Sequence, residues 1–328
     1  MYCMNNSFGE HLDLNQLIGL FDKDKDPANR FQTINSFARH LMPEWFLPML
    51  NDTARNLYYS KMLEHSVKDK VVVDLGSGTG MWSIEALARG ARFVYVVEKN
   101  PILIQYLQLI FKDYPVKVIA KAFDELSPAD FDHGQPEALV HEIFSNTGLG
   151  EGVIPAFQKV SKLFPDNSIT LFPRYFWFEA RVLKDKPFEL SETEKIHLKD
   201  NADAYYELVH SLGIRDWGSL KDVNFKDKEV VNVMFLDLKK IEQNKNYELL
   251  PIPIDVTPGY VYRVYLSFKF STELEGPYFD TLFEENHWGG FIVEFYASTK
   301  LPASRKFLKM KLNDNQLIEH PRLEDTLN

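Results

Sequence analysis

An α/β domain followed by an antiparallel β domain is the fold class that this sequence predicts, on three observations. Apolar runs of strand length alternate with helical segments through the first half. Longer β-branched and aromatic runs replace them after residue 172. A single helical segment then interrupts those runs.

KVVVDLG (70–76) is an apolar run ending in Asp and Gly, as a buried parallel strand should be. MWSIEALARG (81–90) has apolar positions at helical spacing, and Gly90 is a C-terminal stop. FVYVVE (93–98) is a second buried strand, and PILIQYLQLIFKDY (101–114) a second helix with Pro101 in its first turn. VKVIAKAF (116–123) and EALVHEIF (137–144) complete the pattern of a doubly wound sheet. Beyond ITLFPRYFWFEARVL (169–183), strands are expected in EVVNVMFLDL (229–238), YVYRVYLSFKFS (260–271) and GGFIVEFYAS (289–298). Alternation of Tyr262, Val264, Leu266, Phe268 and Phe270 with Arg263 and Lys269 predicts one wet face. The helical interruption is LSETEKIHLKDNADAYYELVHSLG (190–213), with Ser191 and Glu194 spaced as a capping box. The expected division is an N-terminal segment at 1–30, an α/β domain at 31–172 and a second domain at 173–328, hinged at Pro173.

The chemistry concentrates in two glycine-rich stretches. Asp74-Leu75-Gly76-Ser77-Gly78-Thr79-Gly80 lies between a strand and a helix, where glycines let the backbone approach a ligand and take positive φ. Its spacing is not the G-x-G-x-x-G of a nicotinamide site. An acid two residues before the first glycine suits the cationic methionine part of S-adenosylmethionine (SAM), and Glu98, ending the next strand, is placed to accept ribose hydroxyls. The cofactor expected at Asp74, Gly76, Gly78 and Glu98 is therefore SAM. The second stretch carries Glu142 at the carboxyl end of the fourth strand and Glu151 beyond Ser145-Asn146-Thr147-Gly148-Leu149-Gly150. Two converging carboxylates match the donor fork of a guanidinium and offset its charge beside a sulfonium.

Composition narrows the partners. With 47 Asp and Glu against 37 Lys and Arg the net charge is −10, which argues against nucleic acid and suits a cationic partner. No apolar run nears the roughly 20 residues of a membrane span. Cys3 is the sole cysteine, so no intrachain disulfide forms; with no secretory signal at the N-terminus, a cytoplasmic location is expected.

From about residue 31 onward the chain resembles the protein arginine methyltransferases. VVVDLGSGTG is similar to their SAM loop, and HEIFSNTGLGEGVIP to their double-glutamate loop; the latter's wording is closest to the member numbered seven. MLNDTARN (49–56) is similar to their helix over the cofactor, which implies that Arg55 binds the SAM carboxylate and Met49 lines the arginine pocket. Phe46 and Ala122 are likewise implied to touch the cofactor. Asn286-His287-Trp288 resembles their threonine-histidine-tryptophan loop, which implies a His287–Asp52 pair behind the glutamates and Trp288 as a wall of the pocket. The resemblance implies a Rossmann-like class I SAM methyltransferase domain, then a β-barrel with a dimerisation arm at about 187–215, and a homodimer. Three positions depart from the family: Ser36–His40 in place of an aromatic-rich helix, His141 before the first glutamate, and no clear adenine-binding acid near Ala122-Phe123. The expected activity is methyl transfer to arginine in a protein or peptide. Free arginine or another small guanidine, and a silent SAM-fold partner, are the alternatives.

Overall fold

The computed structural model describes residues 46–145, 148–166, 168–211, 213–216, 225, 228–283, 286–288, 291–300, 302–313, 317–318 and 321–326. The expected N-terminal segment and the Ser36–His40 departure lie outside them. The chain forms two compact units, one comprising Met1–Glu125 with Ala129–Val140 and the other Leu126–Pro128 with His141–Asn328. Compactness thus divides the chain at Val140/His141, whereas Pro173 marks the start of the long antiparallel strands.

In the first unit, α1 (Phe46–Leu50) and α2 (Thr53–Leu63) precede β1 (Val71–Leu75), α3 (Met81–Ala88), β2 (Phe93–Glu98), α4 (Pro101–Ile110), β3 (Val116–Ala120) and β4 (Ala138–His141). The strands lie in the order β3-β2-β1-β4, with β1, β2 and β3 parallel. β1 is buried along its whole length, which explains its unbroken apolar run up to Asp74. Asn100 caps α4 by accepting from the Ile102 amide, and Pro101 sits at the first helical position as expected. The α2–α3 pair is fixed by a buried knot: Ser60 Oγ donates to Glu85 Oε1 at 2.7 Å, and Arg89 donates to both.

The second unit holds α5 (Val153–Leu163), β5 (Thr170–Phe172), β6 (Tyr175–Asp185), α6 (Glu192–Leu198), α7 (Ala202–Val209), β7 (Gly213–Asp216), β8 (Val230–Asp237), β9 (Ile252–Val256), β10 (Tyr260–Ser271), β11 (Phe279–Asp280), β12 (Phe291–Ala297), β13 (Ser304–Lys309), β14 (Leu312–Asn313), β15 (Leu317–Ile318) and β16 (Arg322–Glu324). The long strands form an antiparallel sheet ordered β7-β12-β10-β6-β8, with β11 on β10. Two smaller antiparallel sheets, β16-β13-β9 and β14-β15, accompany it. The capping box at Ser191 and Glu194 is present in full. The helical arm is tied to β12 through Asp203, which accepts from Tyr296 Oη, Ser298 Oγ and Thr299 Oγ1 at 2.7, 2.7 and 2.8 Å.

The expectation of one wet face on β10 is corrected. Val264, Leu266, Phe268 and Phe270 are buried, but so are Val261, Tyr265, Ser267 and Ser271 on the other face. β10 lies inside the sheet, between β6 and β12, and Tyr265 packs with Leu183 and Phe225 in a second apolar cluster. Only Tyr260, Arg263 and Lys269 are partly exposed, and both cations are ion-paired: Arg263 to Asp185 and Glu294, Lys269 to Glu179.

Candidate active site

The glycine turn of the first unit takes the conformation its sequence demands. Gly76, Gly78 and Gly80 have φ of 73°, 55° and 76°, in the left-handed region that a side chain penalises. The Gly78 amide donates to Glu98 Oε2 at 2.9 Å, and Glu98 Oε1 accepts from the amides of Lys99 and Asn100 at 2.7 Å each. Glu98 therefore fixes the turn with its carboxylate, and ribose hydroxyls would have to use its remaining lone pairs.

Asp74 is fully buried. Its Oδ2 accepts from Ser83 Oγ at 2.6 Å, while Oδ1 has no hydrogen-bond partner among the described residues. Burial pushes its carboxyl up to about 7, with Ser83 opposing and Glu98 adding to the shift. Ser77 Oγ, two residues after the strand, is also buried without a partner among the described residues. Buried polar atoms in native proteins are nearly always satisfied, so two bare oxygens at one glycine turn are what a polar ligand would complete. The residues present fit the cofactor expected from the sequence.

Arg55 is completely buried on α2, its Nε and Nη2 donating to Asn56 Oδ1 at 3.0 and 2.7 Å and its guanidinium 5.3 Å from the Trp82 ring. Asp52 caps the same helix by accepting from the Arg55 amide at 2.9 Å. Met49 is half-buried on α1. Phe46 opens α1, and its side chain lies outside the described residues. The Ala122 amide donates to Glu125 Oε2 at 2.9 Å, so that backbone donor is already engaged within the first unit.

The second unit builds the glutamate loop. Glu142 leaves β4 with a side chain only 8% exposed, and His287 Nε2 lies 4.0 Å from its Oε1. Trp288 is buried, with its ring 4.3 Å from that of His287, and its indole Nε1 donates to the Phe144 carbonyl at 2.7 Å. The Asn286 side chain orients this segment, accepting from the Trp288 amide at 3.0 Å and donating to the Thr281 carbonyl at 2.8 Å. Beneath lies an aromatic floor in which Phe144 stacks on Phe176 and Phe270 at 5.5 and 5.3 Å, and Trp288 meets Phe268 edge-on at 5.4 Å.

Gly148 touches that floor: at φ 74° a Cβ there would come within 2.9 Å of Phe176 Cζ and 3.1 Å of Phe268 Cδ1. Glu151 is exposed, in the turn before α5, whose N-cap Gly152 has φ 84°. His141, the departure before Glu142, is a core residue. Its Nε2–H donates to the Pro173 carbonyl at 3.0 Å, and burial lowers its pKa to about 3.

Glu142, His287 and Trp288 are thus brought together in the second unit, and Arg55, Asp52, Asp74, Gly76, Gly78 and Glu98 belong to the first. Sequence reading passed over the roles of Ser77 and Asn286. An Asn two residues before an ordered Trp was the one local signal, being the spacing of an Asx turn.

The fold is that of the arginine methyltransferases. It is similar to the crystal structure of PRMT6, with a TM-score of 0.60 at 16% identity over 88% of this chain and 98% of that one. It is also similar to the Trypanosoma brucei PRMT1 enzyme-prozyme heterotetrameric complex with AdoHcy, with a TM-score of 0.56 at 17% identity over 81% of this chain and 86% of that one.

In sequence, the chain is 33% identical over 126 residues to the arginine N(omega)-methyltransferase of Streptomyces achromogenes subsp. streptozoticus, covering 37% of this chain and 35% of that protein. It is 35% identical over 128 residues to protein arginine N-methyltransferase 7 of Oryza sativa subsp. indica, covering 35% of this chain and 18% of that protein. The matched stretches therefore span about a third or less of those relatives. Residues 48–125 also match the family described as conserved hypothetical protein 95. The chain resembles the protein arginine methyltransferases in fold and in sequence.

Proposed function

We propose that the protein is a SAM-dependent arginine N-methyltransferase. The observation that carries this reading is Glu142, a carboxylate held almost out of solvent beside His287 and Trp288. In the same chain, a glycine turn leaves Asp74 Oδ1 and Ser77 Oγ without partners among the described residues. SAM, when bound, supplies an electrophilic methyl group. Arg55, Asp74, Gly76, Gly78 and Glu98 would hold it, with Phe46 and Ala122 as further contacts. Glu142 and Glu151 would grip the guanidinium through paired charge-assisted hydrogen bonds, fixing its plane and offsetting its charge. Met49 and Trp288 would shape the arginine pocket. The proton lost from the methylated nitrogen would leave through Glu151, or through His287 with Asp52 behind it.

The substrate is proposed to be arginine in a protein or peptide, as the name of the rice relative says of that protein. Free arginine is the second reading, favoured by the Streptomyces relative, which is named for arginine rather than protein arginine. Incubation with SAM and either an Arg-Gly-rich peptide or free L-arginine, followed by mass spectrometry, separates the two by which one gains 14 Da. Glu142→Gln should keep SAM affinity within twofold and cut turnover about 100-fold or more. A near-wild-type rate would remove Glu142 from the mechanism. We further propose a cytoplasmic homodimer assembled through the arm, whose Ile196 and Leu208 are 69% and 75% exposed. Neither nucleic acid nor membrane is proposed as a partner. No helix of the described residues is long and apolar enough to cross a membrane.

A further inference from the structure

Glu151 stands between Gly150 and Gly152, the two residue positions that restrain a neighbouring backbone least. A carboxylate that must meet a planar cation in one orientation needs more restraint than that. Three contacts within the second unit supply it. The Leu149 side chain is completely buried, and Gly148 abuts Phe176 and Phe268. The third contact is Ser145. Its carbonyl accepts from the Gly148 amide at 2.7 Å, and its hydroxyl oxygen accepts from the Gly150 amide at 2.9 Å. The first of these bonds needs only a backbone, so any residue at 145 could make it. The second needs a short side chain with an acceptor, and it lands on the residue immediately before Glu151.

We propose that Ser145 is a positioning residue for the transfer reaction: by holding the Gly150 amide, its hydroxyl sets the backbone from which Glu151 projects. The assignment rests on the proposed role of Glu151 in gripping the guanidinium. It deepens that reading, because it places the control of one carboxylate in a side chain that lies between the two. Ser145 has no need to touch substrate, and the loss of its hydroxyl should act on orientation rather than on cofactor binding.

The test uses the full chain with Ser145→Ala and Ser145→Thr, the second keeping a hydroxyl acceptor. Turnover and KM are measured with whichever guanidine the wild type methylates, SAM affinity by calorimetry, and hydrogen exchange at the Gly150 amide by NMR. Ser145→Ala is expected to lower kcat about 10- to 100-fold, the scale of a small misplacement of a reacting group. It should leave SAM affinity within twofold and speed Gly150 exchange at least tenfold. Ser145→Thr should recover most of the rate and the slow exchange, a rescue that loss of packing alone would not give. Wild-type kcat in Ser145→Ala, or unchanged exchange at Gly150, overturns the proposal alone. A wild-type chain that binds SAM and methylates no guanidine overturns the reading of the site as well.

Discussion

The two glycine-rich loops of this protein use glycine for opposite purposes. At Gly76–Gly80 the left-handed backbone wraps a turn that Glu98 ties from one side, and the buried oxygens of Asp74 and Ser77 are left bare. At Gly148–Gly152 the same conformational freedom lets the chain press against its own aromatic side chains and satisfy its amides internally. One loop leaves polar atoms over that a ligand could complete. The other closes on the chain's own side chains. Glycine content alone does not tell them apart; the polar atoms left over do.

Gly148→Ala should break the second loop most severely. It combines a positive φ with a 2.9 Å approach to Phe176, and a loss of about 2–3 kcal/mol in urea unfolding is expected. A change under about 0.5 kcal/mol would show that the aromatic floor yields and the loop is not packed as described.

The next contrast is in pH. The Asp74 carboxyl rises from 3.8 to about 7 on folding, so its contribution to stability is fully present below pH 3.8 and is lost as pH rises toward 7. His141 falls from 6.5 to about 3, so its contribution is present above pH 6.5 and is lost as pH falls through that interval. Asp74→Asn and His141→Phe should therefore tilt the urea-midpoint profile in opposite directions across pH 4–7, each by an amount on the order of 1 kcal/mol or more. Parallel profiles for the two variants would refute this assignment of the buried charges.

The smallest effect belongs to Trp288→Phe, which keeps a ring in the floor but removes the 2.7 Å bond to the Phe144 carbonyl. A loss of about 1 kcal/mol in stability is expected, the low end of the scale for an acceptor left buried and unpaired. A larger drop in turnover than in stability would tie Trp288 to the placement of Glu142. No change in either would leave the bond without consequence.

The strands β1–β4 and the helices α3 and α4 of the first unit were legible because each is a short apolar run or stripe bounded by a glycine, a proline or a cap, whereas the helix at 49–56 was implied only by the family resemblance. Asp74, Gly76 and Gly78 were legible for the same reason: the motif is local. In the second unit the long strands were readable, while β11, β14, β15 and β16 are too short for a pattern to separate from chance, and β9 and β13 lack an apolar run, the first holding Pro253 and the second Arg305, Lys306 and Lys309. The two-sided burial of β10 was misread from its alternation. Arg263 and Lys269 looked like a wet face, and what buries their neighbours is Phe225 and Leu183, distant in sequence. Ser145 and Asn286 were illegible as anchors because a hydroxyl or amide reveals its partner only once the loop has folded. Glu142 was recognisable by motif, and its place beside His287 was implied only by the family resemblance.

The placement of β10 also bears on how the chain reaches its native state. Val261–Ser271 pairs with β6, some eighty residues earlier, and Tyr260–Leu266 with β12, which follows it. A ribosome releases β6 long before either partner surface exists, so this sheet must form late, from contacts distant in sequence. The first unit, with its adjacent parallel strands, can assemble while the second is still emerging. Until β12 arrives, the aromatic run Tyr260–Ser271 has one edge unpaired, an aggregation hazard while the chain folds.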